Sequence, residues 1–369
     1  MNTGEQEPGR HGKLEKPSAG RFGRQELAVL GTTCSEVERL CAGLTQRFEP
    51  YSVALVDASH AEEREAIPGI RIVVHDGHTE VRIPDAHGEP PFYTILSSAA
   101  LIVVNGNHLT ATRQLIVPSE GKEDSLRKRA AQLTSPLAIW LTPSFQEVPE
   151  WLFGIPGLDA LPVIREADPA CWEQLAALAC PPPPIRVLVL TGGKSKRMGS
   201  DKSLMNYHGM PQYQWMAQTA ASLGLPVAVS CRQEQSRLFR EAGFDAIEDR
   251  VTGIGPLGGI ISAFMHDPDS AWLVVACDMP GWTADAYQQL AEERNPRSIA
   301  TCFALSESRP EPLAAIWEPA SYPLILSGLS AGIDCPRSIL RRSRPHLVVP
   351  RHPTWTDNVN TPEEAGKYR

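Results

Sequence analysis

No stretch of this chain runs through the ~18 uninterrupted apolar residues that a membrane-crossing helix requires. The opening MNTGEQEPGRHGKLEKPSAGRFGR is polar and lacks the apolar core of a signal peptide. None of the 8 cysteines (Cys34, Cys41, Cys171, Cys180, Cys231, Cys277, Cys302 and Cys335) stands in a C-x-x-C pair, so their spacing writes neither a disulfide frame nor a zinc site. Basic residues are outnumbered, 35 against 43 acidic, and a net charge of −8 argues against a global electrostatic grip on nucleic acid or anionic membrane. Aromatics make up only 7%, yet 8 Trp and 9 Phe exclude a wholly disordered or fibrous chain. A cytoplasmic protein with reduced thiols, and with neither a nucleic-acid nor a membrane partner, is expected.

Its 369 residues suffice for two domains of roughly 100–200 residues each. Residues 1–24 mix charges with Gly, Pro and Ser without apolar periodicity and are expected as a flexible tail. Over 25–179, strands are expected at Glu26–Leu30, Ser52–Val56, Ile70–Val74, Ala99–Val104, Gln114–Val117 and Ala138–Leu141. Helices are expected at Ser35–Arg47, Asp124–Leu133 and Pro149–Phe153. At 180–184 comes Cys180 and four consecutive prolines, which can enter neither a helix nor a central strand and form a stiff spacer. From Ile185 to Arg369 the alternation restarts. IRVLVL, PVAVSC, DAIED and WLVVAC read as buried strands, with helices near Gln212–Leu223, Gln233–Ala242, Leu257–Met265 and Thr283–Arg294. Apolar strands alternating with helices predict an α/β fold in both halves, and in the second half a parallel sheet covered on both faces.

The most informative segment is Leu190-Thr191-Gly192-Gly193-Lys194-Ser195-Lys196-Arg197-Met198-Gly199-Ser200-Asp201-Lys202. It leaves a buried strand and so lies at the carboxyl edge of a parallel sheet, where α/β folds bind ligands. Gly192 and Gly193 allow backbone N–H groups to wrap an anion, and Lys194, Lys196, Arg197 and Lys202 crowd four cations into nine positions. Triphosphate binding is the natural use. Neither G-x-x-x-x-G-K-[ST] nor G-x-G-x-x-G fits the spacing. A glycine-rich connection with a solvated basic face is the plainer alternative.

LTGGKSKRMGSDKS resembles the L-x-G-G-x-S-x-R-M-G-x-D-K signature of the MobA-type molybdenum cofactor guanylyltransferases, with Thr191 where that family usually has Ala. The resemblance implies a Rossmann-like, mostly parallel sheet over 185–369 and assigns roles along it. Leu190, Thr191, Gly192, Gly193 and Lys202 would bind nucleotide. Gly255-Pro256-Leu257, within a segment similar to the family's G-P-L-x-G, would line the base or ribose. Asp278, in a strand ending Cys277-Asp278-Met279-Pro280, resembles the C-D-x-P aspartate that coordinates Mg²⁺; a turn or helix cap is the ordinary reading of such an aspartate. Asn360, before Thr361-Pro362-Glu363-Glu364, is a second candidate ligand, and that segment is also a good helix start, with Thr361 as N-cap and Glu364 completing a capping box. Asp249 matches a nucleotide-binding position of the family, and an ordinary structural carboxylate is an equal reading of it. Ser230 stands where the family often has Asn against the base or ribose, so its role is open. Arg309-Pro310-Glu311-Pro312-Leu313 resembles a strand entry of the family near the second substrate, and Arg337, Arg341 and Arg342 lie where an anionic acceptor would need cations; a solvated helix face explains the arginines equally well.

The resemblance implies transfer of GMP from GTP to molybdopterin with Arg197, Lys202 and Asp278 as the catalytic groups, Mg²⁺ as cofactor, and molybdoenzymes or their chaperones as further partners. A sister enzyme using CTP or a sugar-phosphate acceptor, and a non-catalytic binder of the cofactor or nucleotide, are the alternatives. The first half is similar to MobB, a P-loop protein, but Glu36-Val37 stands where Gly-Lys would be, and a carboxylate there repels phosphate. A degenerate P-loop-like domain without nucleotide hydrolysis is expected. His78, His87 and His108 share no ligand spacing and are expected as ordinary surface or loop histidines.

Overall fold

The computed structural model describes residues 14–48, 52–58, 71–75, 78–82, 92–96, 99–191, 204–307, 309–359, 364 and 366. The chain folds as two compact units that divide inside the proline run, between Pro181 and Pro182. Among the described residues, no helix is long and apolar enough to cross a membrane.

The first unit, Ala19–Pro181, contains β1 (Glu26–Leu30), α1 (Cys34–Phe48), β2 (Ser52–Val56), a hairpin of β3 (Arg71–His75) and β4 (His78–Arg82), α2 (Phe92–Ile95), β5 (Ala99–Asn105), β6 (Gln114–Ile116), α3 (Glu123–Lys128), β7 (Pro136–Leu141), β8 (Val163–Arg165) and α4 (Cys171–Ala179). Six described strands form one parallel sheet in the order β2-β5-β1-β6-β7-β8. Alternate residues of β1 serve opposite cores. Leu27 and Val29 pack with Val37, Leu40 and Leu44 of α1, while Ala28 and Leu30 face Leu126 and Leu152. The tail expected over residues 1–24 ends earlier than the composition suggests. Phe22 is 1% exposed and meets Phe92 edge-on at 5.2 Å, because one aromatic ring buries more area than its polar neighbours forfeit. The helix expected at Pro149–Phe153 is a 3₁₀ turn at Glu150–Gly154, and that at Asp124–Leu133 breaks after α3 into a second 3₁₀ turn.

The second unit begins at Pro182 and also takes in Ser18, whose N–H donates to Asp269 at 2.9 Å. It contains β9 (Ile185–Leu190), α5 (Gln212–Ser222), β10 (Val227–Cys231), α6 (Gln233–Glu241), β11 (Asp245–Glu248), α7 (Pro256–His266), β12 (Ala271–Ala276), α8 (Ala284–Glu292), β13 (Ala300–Ala304), β14 (Pro310–Trp317), α9 (Ser321–Ser330), α10 (Pro336–Ser343) and β15 (His346–Val348). Its described strands form one seven-stranded sheet, ordered β11-β10-β9-β12-β14-β13-β15. Only β14 runs against the others. This is a Rossmann-like α/β fold. On one face Val187, Val189, Leu273 and Val275 meet α5 and α8 through Met216, Ala220, Tyr287 and Leu290. On the other, Leu188, Leu190, Trp272 and Val274 meet Leu257, Ile260, Ile261 and Phe264 of α7. Both faces of β9 and β12 are covered, which is why they read as continuous apolar runs.

Beneath β13, Arg294 is locked to Glu318 by two N–H···O bonds of 2.7 Å and donates a third to the Pro183 carbonyl at 2.8 Å. Glu318 is 1% exposed, and burial pushes its carboxyl up even though Arg294 opposes that shift. Arg294→Ala leaves the carboxyl buried without its cation and should cost about 3–5 kcal/mol in urea unfolding. In that variant the folded state holds a proton on Glu318 more tightly than the unfolded chain does, so stability recovers as pH falls. An equal deficit at about pH 7.5 and about pH 5 would contradict this account.

Candidate functional site

Register alone assembles the edge of the second sheet. Ser230 on β10 and Ala276 on β12 both lie level with Leu190 on β9, and Glu248 on β11 lies level with Cys231. All four strands are parallel, so the residues that follow them, Thr191, Asp249 and Cys277-Asp278, emerge on one side. Backbone bonds continue the ladder past the strand ends: Thr191 N–H donates to Ser230 O at 3.1 Å, Asp249 N–H to Cys231 O at 2.8 Å and Cys277 N–H to Leu190 O at 3.2 Å. Leu190 and Thr191 are buried, and the Thr191 hydroxyl donates to the Ser230 carbonyl at 2.6 Å. Ser230 is buried in turn, and its hydroxyl donates to Asp249 Oδ1 at 2.7 Å. Burial pushes the Asp249 carboxyl up, while Ser230 and the Arg232 charge pull it back. Gly192, Gly193, Arg197, Lys202 and the other members of the basic loop lie outside the described residues, as do Asn360 and Thr361–Glu363.

The helix α7 starts where the G-P-L-x-G resemblance placed it. Gly255 precedes it at φ +61° and ψ −145°, a conformation open to glycine, and Pro256 takes the first turn with its ring already suited to it. Leu257 is buried in the core under Leu190, so it is a packing residue of this wall. Gly258 and Gly259 then bring the helix against the site. A Cβ on Gly258 would stand 2.1 Å from the Val251 carbonyl oxygen, and one on Gly259 2.5 Å from Ser230 Oγ and 2.7 Å from Leu190 Cδ2.

On the other flank of β9, the Asp278 carbonyl accepts from Val359 N–H at 2.7 Å, which ties the turn after β12 to the chain end that leads into Asn360. Two residues that the sequence did not single out brace the same turn. His208 Nε2 lies 3.0 Å from the Pro280 carbonyl, with its ring stacked on Trp215, and the buried Gln212 side chain donates to the Met279 carbonyl at 3.3 Å. They join the segment that leaves the basic loop to the Asp278 turn. No local pattern marks them, because a His and a Gln beside a helix start are unremarkable until the turn they brace is known. Glu311 on β14 feels the Asp278 charge, and burial is the main cause pushing its carboxyl up. Arg337 binds it at 2.7 Å and also donates to the Pro310 carbonyl at 3.1 Å. The structure thus commits Arg337 to Glu311, whereas Arg341 and Arg342 are exposed on the last turn of α10. Among the described residues no group of three or more His, Cys, Asp or Glu could hold a metal. Asp278 and Glu311 are nevertheless hard oxygen donors of like charge, a chemistry that suits a divalent cation.

In the first unit, Glu36 stands on α1 as expected, and it has a partner the sequence did not announce. Arg39 donates to Glu36 at 2.6 and 2.9 Å and to Glu166 at 2.7 Å, in a cleft of about 400 Å³ lined also by Thr32, Thr33, Ser119 and Thr142. Its guanidinium is thereby satisfied by protein carboxylates. Of the three histidines, His108 Nε2 lies 3.5 Å from Cys34 Sγ; the side chain of His78 and all of His87 lie outside the described residues.

A Rossmann-like sheet with carboxylates and a glycine-rich turn gathered at its carboxyl edge defines a nucleotide-binding enzyme domain. A sequence profile described as "MobA-like NTP transferase domain" matches residues 187–347. A "Probable molybdenum cofactor guanylyltransferase" of Flavobacterium johnsoniae is 30% identical over 148 residues, 40% of this chain and 75% of that protein. The chain belongs to the MobA-like nucleotidyltransferase family. A "Molybdenum cofactor biosynthesis bifunctional protein" of Synechocystis is 32% identical over 185 residues, which are 50% of this chain and 53% of that protein. The chain therefore spans about half the length of that relative. A solved structure of molybdopterin-guanine dinucleotide biosynthesis protein A from Archaeoglobus fulgidus aligns at a TM-score of 0.42 and 21% identity, covering 50% of this chain and 96% of that one.

The close seat of α7 is testable. Gly258→Ala sets a methyl group against a backbone carbonyl that cannot rotate away, so the second unit should lose about 1–3 kcal/mol in urea unfolding. Wild-type stability in that variant would mean the helix has room to move off the site.

Proposed function

We propose that the second unit transfers GMP from GTP to the terminal phosphate of molybdopterin or its molybdenum-loaded form, with release of pyrophosphate. The observation that carries this reading is the shared edge, where the strand register sets Thr191, Ser230, Asp249 and Asp278 beside the mouth of the loop that holds Gly192, Gly193, Arg197 and Lys202. An acceptor phosphate oxygen forms the new bond to the α-phosphorus of GTP. The bond from that phosphorus to the bridging oxygen breaks, and its electron pair leaves with pyrophosphate. No covalent enzyme intermediate is called for, and catalysis rests on position and charge. Backbone N–H groups of Gly192 and Gly193 bind the β- and γ-phosphates. Arg197 and Lys202 neutralise the charge that builds on the departing pyrophosphate. Asp249, with the backbone at Leu190–Thr191 and at the Gly255–Leu257 turn, holds the nucleoside. Asp278 and Asn360 would hold Mg²⁺, which when bound supplies charge neutralisation at the α-phosphate.

Nucleotidyltransferases of this type generally use a divalent metal; Mg²⁺ as that metal, GTP as the donor and molybdoenzymes or their chaperones as recipients of the product are part of the proposal. So is a cytoplasmic setting, in keeping with 8 cysteines none of which forms a disulfide among the described residues. The first unit is proposed as a degenerate P-loop-like domain that hydrolyses no nucleotide, supported by the Glu36–Arg39–Glu166 cluster where phosphate would otherwise be held.

The test is pyrophosphate release from GTP, CTP and ATP with Mg²⁺, each with and without molybdenum-loaded molybdopterin. Acceptor-dependent release from GTP alone is expected, and Asp278→Ala and Lys202→Ala should each lower it by roughly 10²-fold or more while leaving thermal unfolding unchanged. Release from CTP would change the product and keep the mechanism. GTP binding with no release from any nucleotide would favour a non-catalytic binding protein.

A further inference from the structure

The two positions where this chain departs from the family's pattern, Thr191 and Ser230, turn out to be neighbours in one hydrogen-bonded chain. The Thr191 hydroxyl donates to the Ser230 carbonyl at 2.6 Å, and the Ser230 hydroxyl donates to Asp249 Oδ1 at 2.7 Å. The chain crosses the carboxyl ends of β9, β10 and β11 within a few ångströms, and α7 seals it from above. Only the missing Cβ of Gly259 leaves room, since that atom would lie 2.5 Å from Ser230 Oγ and 3.4 Å from Asp249 Oδ1. Ser230 is 1% exposed and has a single hydrogen to donate, which Asp249 already takes. A residue so placed is poorly disposed to read a nucleobase by itself. It is well disposed to fix the carboxylate beside it, whose second oxygen, Oδ2, accepts no hydrogen bond among the described residues.

We propose that Thr191 and Ser230 are positioning residues that act through Asp249, holding its carboxylate so that Oδ2 accepts a hydrogen bond from an N–H or O–H group of the nucleoside. Thr191, bonded to the Ser230 carbonyl by both its hydroxyl and its N–H, pins the strand end from which the Ser230 hydroxyl projects. The hydroxyl of Ser230 selects one rotamer of Asp249 and favours its charged form. Burial works the other way on that carboxyl, and the Arg232 charge is the further group that favours ionisation. The Cys231 thiol beside it is pushed up to about 12 by burial and stays neutral, Glu248 on the preceding strand pairs with Arg240, and α7 carries no titratable side chain before His266, its last residue. The inference rests on the nucleotide-transfer reading of this edge and adds the device that sets its nucleoside contact.

Nucleotide affinity of the full chain, followed by calorimetry across the acid range with GTP and with CTP, tests it. Ser230→Ala should weaken GTP binding at neutral pH by about tenfold, the scale of one hydrogen bond to a charged group. It should also move the acid limb of binding to higher pH, because the carboxylate loses the donor that favours its charged form while burial remains. Thr191→Val, which keeps shape and removes the hydroxyl, should move the limb in the same direction by less. Asp249→Asn should retain only the titration that the ligand itself contributes. Thermal unfolding of each variant separates these effects from loss of fold. Weaker binding with the limb unmoved would overturn the proposal in favour of direct contact between Ser230 and nucleotide, and unchanged affinity would overturn it by leaving Ser230 no part in binding. Binding of CTP and not GTP by the wild type would overturn the choice of base, with the relay judged by the same limb on CTP. Binding of neither would overturn both.

Discussion

The constraint on which this molecule turns is the double burial of its central strands. Leu188 and Leu190 face one core, Val187 and Val189 the other, and β12 repeats the arrangement with Trp272 and Val274 against Leu273 and Val275. A strand with no solvent face pairs on both edges and is covered by helices on both sides, an arrangement built here from parallel neighbours joined by crossovers, with antiparallel β14 added on the outer edge of β12. Polar chemistry can then enter only where the strands end. Four parallel strands ending level therefore deliver Thr191, Ser230, Asp249 and Asp278 to one rim, although three successive strand–helix–strand crossovers separate the first from the last in sequence.

Electrostatics at that rim follows from the same burial. Asp249 and Glu311 sit far enough under the helices that desolvation is the largest influence on each, and each is held in use by a donor, Ser230 for one and Arg337 for the other. The close seat of α7 extends the effect. Two glycines let a helix backbone come within contact of the site, so water is displaced without any side chain being spent on the task. On the far flank, His208 and Gln212 hold the Asp278 turn through its neighbours' carbonyls. The carboxylate is thus placed by backbone bonds, which tolerate changes in side-chain charge.

The first unit uses the same grammar to a different end. Its parallel sheet also opens a polar cleft beyond β1, but the cation there is neutralised by Glu36 and Glu166, and Arg39 joins a helix to the far edge of the sheet. A guanidinium gripped by two carboxylates has little capacity left for a phosphate group.

Much of the fold was legible in the sequence where burial was two-sided and continuous. IRVLVL and WLVVAC could be little else than central strands, and the four prolines could only be a break. The short Val163–Arg165, the antiparallel direction of Pro310–Trp317 and the bounds of the arginine-rich Pro336–Ser343 were not legible, because they are set by neighbours distant in the chain. Phe22 was hidden for a related reason: a single ring in a polar segment gives no period, and only the core it enters shows why it is held. The sequence by itself determined the alternation of strands and helices, the glycine-rich basic loop and the family resemblance, since these depend on residues near one another along the chain. The tertiary structure decided what each polar group would touch. Thr191 and Ser230 became parts of one relay, Arg337 the partner of Glu311, and Arg39 the clasp of two carboxylates, because hydrogen bonds of this kind are made across strands whose register no local pattern specifies.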